Sequence, residues 1–227
     1  NYSVNLNSFL SQNFYFGERV GILLKKSYEK VISIFAINRA GLVFVPINNQ
    51  LKKEQIEYII TDCNIKCLIT SKLLFQNKNI DLQKSNITLL ILTDDKIENE
   101  NVQSILLNEI ITSSDNNIKP PLVIGKDLAA LLYTSGSTGS PKGVMLSNDN
   151  ITQGAEIVAD YLEVNENERN LSVLPFSFDY GLNQLMNTFH TGSTIYLINY
   201  IFINDLVNSI EKYSITALAL VPHLWIE

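Results

Sequence analysis

Short apolar runs alternate along this chain with longer stretches in which apolar residues recur at helical spacing. RVGILLK (19–25) predicts a buried strand, and SYEKVISIFAINRAG (27–41) a helix with Gly41 just past its end. LVFVPIN (42–48) predicts a second strand. KKEQIEYIITDCN (52–64) predicts a helix with Ile56, Ile59 and Ile60 on one face, and KCLITS (66–71) returns as a strand. ITLLILTDD (87–95) reads as another strand, followed by a helix in NVQSILLNEII (101–111).

The texture then changes. TSSDNNIKPPL (112–122) is polar with paired prolines and reads as surface linker, taken here as 112–126. Beyond it, DLAALLYTS (127–135) predicts a strand, SNDNITQGAEIVADYLEV (147–164) a helix and NLSVLPFS (170–177) a strand. YGLNQLMNTFHTG (180–192) predicts a helix ending at Gly192, STIYLI (193–198) a strand, INDLVNSIEKYS (203–214) a helix and TALALVP (216–222) a last strand. Such alternation implies an α/β fold of largely parallel, layered sheets with flanking helices, because a parallel crossover is usually made by a helix. The expected organisation is one α/β subdomain over 1–111, the linker, and a second, incomplete subdomain over 127–227.

Composition narrows the function classes. The 227 residues are 46% hydrophobic and 18% charged, with a net charge of -6, which suits a globular protein and gives a nucleic-acid partner no basic surface. No run reaches the length of a membrane span. Cys63 and Cys67 are too few for a disulfide framework, and their spacing alone is weak evidence for a metal; no metal ligand set is expected, and the location expected is cytoplasmic. The start at Asn1 without methionine, and the end at Glu227 just after an apolar run, are read as a piece of something longer.

The densest chemistry is YTSGSTGSPKG (133–143), between the strand ending near Tyr133 and the helix beginning near Asn148. Gly136, Gly139 and Gly143 let backbone N–H groups approach an anion, the hydroxyls of Thr134, Ser135, Ser137 and Thr138 can donate to phosphate oxygens, and Lys142 adds a positive charge. Spacing excludes three familiar loops. The Walker pattern fails because Pro141 stands where its second glycine belongs and Gly143 where its hydroxyl belongs. The dinucleotide G-x-G-x-x-G fails at Thr138 or Ser140, and the hydrolase elbow G-x-S-x-G fails because Thr138 takes the serine position.

YTSGSTGSPKGVMLSNDNI resembles the phosphate-binding loop of the AMP-forming adenylate synthetases: acyl-CoA synthetases, luciferase-like enzymes and the adenylation domains of peptide synthetases. NRAGLVFVPIN (38–48), LPFSFDYGLNQLMNTFHTGSTIYL (174–197) and ITALALVPHLWIE (215–227) resemble further family segments in order, so the likeness runs from about residue 17 to the end. It implies the first half of the large N-terminal domain of an acyl-CoA synthetase-like fold. It also implies ATP and Mg2+ as cofactors, a carboxylic acid as substrate, and CoA or a carrier-protein pantetheine as thiol acceptor. Thr134, Ser135, Gly136, Ser137, Thr138, Gly139 and Lys142 would grip the β- and γ-phosphates. The family's magnesium-binding Glu and catalytic lysine would lie downstream, so no catalytic residue is expected within this segment.

The same likeness implies a substrate pocket at Phe178, Asp179 and Tyr180, with His223 shaping it. In amino-acid-adenylating relatives a Phe-Asp pair here binds the α-ammonium of the substrate. Here it is followed by Tyr180-Gly181 and not by the small residue and serine usual in peptide synthetases, and Asp179 reads equally well as a helix N-cap. The leading expectation is an acyl-CoA synthetase of fatty-acid-metabolism type. An amino-acid adenylating enzyme and a non-catalytic nucleotide-binding module remain open.

Overall fold

The apolar run at 19–25 does form a strand, and the sheet grows outward from it. The computed structural model describes residues 2–98, 102–113, 119–134 and 141–226, except the side chain of His223. In chain order the elements are α1 (Tyr2–Asn13), β1 (Arg19–Leu23), α2 (Tyr28–Arg39), β2 (Val43–Pro46), α3 (Lys53–Asp62), β3 (Ile65–Thr70), α4 (Lys72–Lys78) and β4 (Leu89–Leu92). There follow β5 (Gln103–Leu106), α5 (Leu107–Thr112), β6 (Leu128–Thr134), β7 (Lys142–Ser147), α6 (Asn148–Tyr161), β8 (Arg169–Ser172), α7 (Asp179–Thr191), β9 (Thr194–Leu197), α8 (Ile203–Tyr213), β10 (Ala217–Leu218) and α9 (Pro222–Ile226).

Seven strands make the first sheet in the order β5-β4-β3-β1-β2-β6-β7, and three make the second, β10-β8-β9. Every described pairing is parallel except β6 with β7. The central strands are buried on both faces, as parallel strands under crossover helices must be: Val20, Ile22, Val45, Leu68 and Ile69 are fully buried. One face packs Val45, Ile47, Leu23, Leu68 and Leu90 with Ile56, Ile59 and Ile60 of α3.

The expected α/β architecture holds, with four local corrections. The helix expected over 101–111 is strand β5 followed by the short α5, because Gln103–Leu106 pairs with Leu89–Leu92. The last strand shortens to β10, and Pro222 opens a helical turn. The phosphate loop does not run straight into a helix: Lys142–Ser147 returns as the antiparallel strand β7. Helix α1 had no apolar period to announce it, since Asn5, Asn7 and Ser8 share its buried face with Leu6 and Leu10. The Asn5 amide explains part of that burial, donating to the carbonyls of Ile111 (2.7 Å) and Ser113 (2.8 Å) beyond α5.

Chain contacts divide the molecule into two compact units, Asn1–Ser147 and Asn148–Glu227. Residues 119–126 therefore lie inside the first unit, because β6 beyond them pairs with β2 through Phe44 and Ala130.

Lys30 interrupts the apolar interior of the first unit. It is 3% exposed, its Nζ donates to the Leu24 carbonyl at 3.0 Å, and burial lowers its pKa to about 8. Lys26 is lowered to about 7, first by burial and then by the charge of Lys30. The unfolded chain keeps the Lys30 proton up to its ordinary value of 10.5, whereas the folded chain releases it near 8. Folding thus carries a penalty that is full below that lower value and fades as pH rises toward the upper one. Lys30→Met is expected to stabilise the fold by about 1–2 kcal/mol near neutral pH, the relieved desolvation outweighing the lost Leu24 hydrogen bond. Urea denaturation should show that gain near neutrality and none near pH ~10; an equal gain at both would contradict the assignment.

Candidate functional site

The loop strand β6 is parallel to β2, so its carboxyl end lies on the edge of the first sheet where β1, β2 and β3 also end. That edge is where open α/β sheets bind ligands. Thr134 closes β6, exposed, directly opposite Lys142 at the start of β7. Lys142 is itself exposed and makes no ion pair with a described carboxylate. Its charge is available to a ligand arriving between the strand ends. Ser135, Gly136, Ser137, Thr138 and Gly139 lie outside the described residues. Two of the seven expected phosphate contacts, Thr134 and Lys142, are thus placed face to face by strand pairing.

The second set of expected residues lies at the start of α7, in the other unit. Phe178 is the N-cap residue, with φ -111° and ψ 133° and no side-chain cap. Asp179 opens the helix as its first-turn acid and does not cap it, a position where the helix dipole favours a carboxylate. A turn closed by Phe178 N donating to the Pro175 carbonyl at 3.0 Å folds the preceding segment against the helix. Gly181 is required there: a Cβ would lie 2.4 Å from the Pro175 carbonyl oxygen and 2.9 Å from that of Leu174. Phe178, Asp179 and Tyr180 are all exposed, and the Asp179 carboxylate makes no hydrogen bond or ion pair with a described residue.

A cavity of about 270 Å³ lies within this second unit. Tyr180 lines it; Phe178 and Asp179 do not. Its other walls from α7 are Asn183, Gln184 and Asn187, which the sequence reading passed over. With Tyr180 they fall at i, i+3, i+4 and i+7, one face of α7. That spacing was available as a signal, but a polar stripe ordinarily means a solvated face. Here Asn187 is 5% exposed, and the Gln184 Oε1 is buried without a partner while its Nε2 donates to the Leu171 carbonyl at 3.3 Å. Leu162 and Leu218 supply apolar wall. The cavity can therefore hold a small molecule that offers hydrogen-bonding groups to amides. The side chain of His223 lies outside the described residues. His190 is exposed in the last turn of α7 and meets none of these groups.

Among the described residues no group of three or more His, Cys, Asp or Glu could hold a metal ion. No described helix is long and apolar enough to cross a membrane. Cys63 and Cys67 are buried free thiols; burial, which outweighs its other contacts, pushes Cys63 up to about 11.

The chain is similar to several known proteins. Gramicidin S synthase 1 of Brevibacillus brevis is 32% identical over 207 residues, covering 89% of this chain and 17% of that protein. Tyrocidine synthase 3 of Brevibacillus parabrevis is 32% identical over 178 residues, 78% of this chain and 2% of its own length. The chain thus spans less than a fifth of these relatives. Among solved structures, a long-chain-fatty-acid-CoA ligase from Archaeoglobus fulgidus superposes with a TM-score of 0.86 at 25% identity, over 98% of this chain and 44% of that one. O-succinylbenzoate coenzyme A synthetase from Bacillus subtilis, in complex with AMP, superposes with a TM-score of 0.79 at 22% identity, over 99% and 54%. The family model described as AMP-binding enzyme matches residues 4–227, from α1 through the loop strand to α9, and the chain belongs to that family.

Proposed function

We propose that the protein, at its natural full length, uses ATP to activate a carboxylic acid and passes the acyl group to a thiol. A carboxylate oxygen of the acid bonds to the α-phosphorus of ATP and pyrophosphate departs, leaving an acyl-adenylate. The thiol sulfur of CoA or a carrier pantetheine then bonds to the acyl carbon, its proton goes to solvent, and AMP leaves. The observation that carries this reading is the pairing of Thr134 with Lys142, the residues that flank the loop sequence, at the carboxyl edge of the first sheet.

In this reading Thr134, Ser135, Gly136, Ser137, Thr138, Gly139 and Lys142 hold the β- and γ-phosphates. Their contribution is alignment of the departing pyrophosphate and neutralisation of its charge. Mg2+ would accompany the nucleotide and neutralise part of the charge on its phosphates. Phe178, Asp179, Tyr180 and His223 would border the acid. ATP as substrate and two unpaired cysteines favour a cytoplasmic setting.

Two observations favour an amino acid over a fatty acid. The Asp179 carboxylate is exposed at the start of α7 and has no partner among the described residues, so it could meet an α-ammonium. Beside its apolar wall the nearby cavity carries the Gln184 Oε1, buried with no hydrogen-bond partner among the described residues, a group that an alkyl chain would leave unpaired.

Pyrophosphate exchange with ATP, measured against amino, aryl and fatty acids, tests the reading. Exchange is expected with at least one amino acid, and Asp179→Ala is expected to raise the KM for that amino acid by about tenfold or more, the loss of a charge-assisted contact, with the KM for ATP unchanged. Exchange with fatty acids alone, or an Asp179→Ala enzyme with an unaltered amino-acid KM, would remove the amino-acid reading. A protein inert toward every acid would remove the ligase reading itself.

A further inference from the structure

Tyr133 is the last residue of β6 to point inward before the loop departs. Its ring packs partly into the cluster that contains Ile56, Ile59 and Cys63. Its hydroxyl donates to Asp62 Oδ2 at 2.5 Å, across 71 residues of sequence. Asp62 is the last residue of α3, an end where the helix dipole disfavours a carboxylate, so a donor there has a clear electrostatic use. The next residue, Cys63, is fixed in turn: its carbonyl accepts from Arg19 Nε at 2.6 Å, tying the end of α3 to the first residue of β1.

On its other side the Tyr133 ring lies against Gly143, its cross-strand partner in β7. A Cβ at Gly143 would sit 3.2 Å from the Tyr133 Cζ and 3.4 Å from its hydroxyl oxygen. The absence of a side chain at 143 therefore lets the ring rest on the backbone between Lys142 and Val144. One aromatic side chain thus touches α3, β6 and β7 together, one residue below the facing pair Thr134 and Lys142. Burial first, then the hydrogen bond to Asp62, raises the Tyr133 pKa, so the phenol remains a donor at any physiological pH.

We propose that the Tyr133 hydroxyl and the Asp62 carboxylate form a strut that positions Lys142 and Thr134 for the phosphates of ATP. The proposal rests on the ligase reading above. Tyr133 is a positioning residue: it acts through the backbone of β7 and meets no reacting atom. A side chain in place of Gly143 would press on the ring and require it to shift by a few tenths of an ångström. Tyr58, one turn before Asp62 on the same helix α3, serves as the control.

The test uses the full-length protein in pyrophosphate exchange, with three single variants and one double. Tyr133→Phe and Asp62→Asn are each expected to raise the KM for ATP about five- to tenfold, the worth of one hydrogen bond, and through the displaced Lys142 to lower kcat as well, with the KM for the acid within about twofold of wild type. The double variant is expected to be no worse than either single one, and Tyr58→Phe to leave the KM for ATP unchanged. Amide hydrogen exchange reads the strut without any need for activity: residues 142–144 should exchange faster in Tyr133→Phe than in wild type. An active wild type whose Tyr133→Phe variant keeps its KM for ATP overturns the strut and leaves the ligase reading standing. Unaltered amide exchange at 142–144, or a parallel rise in the KM for the acid, also overturns it. A wild type without exchange toward any acid overturns the ligase reading, and with it the assignment of the strut to ATP.

Discussion

Lys142→Ala in the full-length protein is expected to lower acid-dependent pyrophosphate exchange by about a hundredfold, the range seen when one preorganised charged donor is removed from a reacting centre. The expectation follows from where the strand pairing puts the lysine. Lys142 opens β7 opposite Thr134, on the side of the sheet where the parallel strands end, and no described carboxylate competes for its charge. The negative charge on pyrophosphate grows as the α-phosphorus bond breaks, so most of the loss should fall on kcat. Folding should be indifferent, because an exposed edge-strand side chain contributes within about 0.5 kcal/mol. Lys142→Arg should recover part of the rate, since charge is kept while the compact ammonium is not. Exchange rates, with a melting curve as control, check this. An Ala variant within about threefold of wild type would leave the loop without its electrostatic role.

Phe44→Ala is expected to destabilise the first unit by about 4 kcal/mol, the usual cost of emptying a buried aromatic site. Phe44 is among the largest fully buried side chains, 1% exposed on the middle residues of β2. Its backbone pairs with Val20 of β1 on one side and Ala130 of β6 on the other, and the latter is the register that joins the loop strand to the sheet. A cavity at this position therefore sits beside the strand that carries the phosphate loop. Phe44→Leu, which keeps more of the volume, should cost roughly half as much. Chemical denaturation measures both, and a Phe44→Ala variant losing less than about 1 kcal/mol would contradict the packing described.

The elements that could be read from sequence are those whose burial leaves an unmixed pattern. Ile22, Val45, Leu68 and Leu90 sit in apolar runs because parallel strands are covered on both faces. The face of α3 was legible from Ile56, Ile59 and Ile60. Where burial is satisfied by hydrogen bonds, the pattern vanishes. Asn5 in α1 is buried because its amide serves the end of α5, a contact more than a hundred residues away. Strand β7 hid for the opposite reason: Val144 and Met145 are exposed on a sheet edge, so no alternation marks them. The polar segment after residue 112 looked like a boundary between subdomains, yet the chain returns to the first sheet through β6. Turn composition reports exposure of the backbone and says nothing of which sheet the next strand joins.

The candidate site divides along the same line. The loop was legible because its chemistry is carried by consecutive residues, and Pro141 and Gly143 excluded the Walker loop. The cavity walls were not, since Asn183, Gln184 and Asn187 are indistinguishable in sequence from a wet helical stripe. The strut between Tyr133 and Asp62 joins positions far apart in the chain, and only the fold brings them within hydrogen-bonding distance.

The central claim is that an oxygen of the acid becomes bonded to the α-phosphorus of ATP. The most direct measurement gives the full-length protein an acid labelled with oxygen-18 in its carboxylate, together with ATP, Mg2+ and the thiol, and weighs the AMP released. The account predicts AMP carrying one oxygen-18 atom, formed only when acid is present. Unlabelled AMP, or ADP and phosphate in its place, would contradict it.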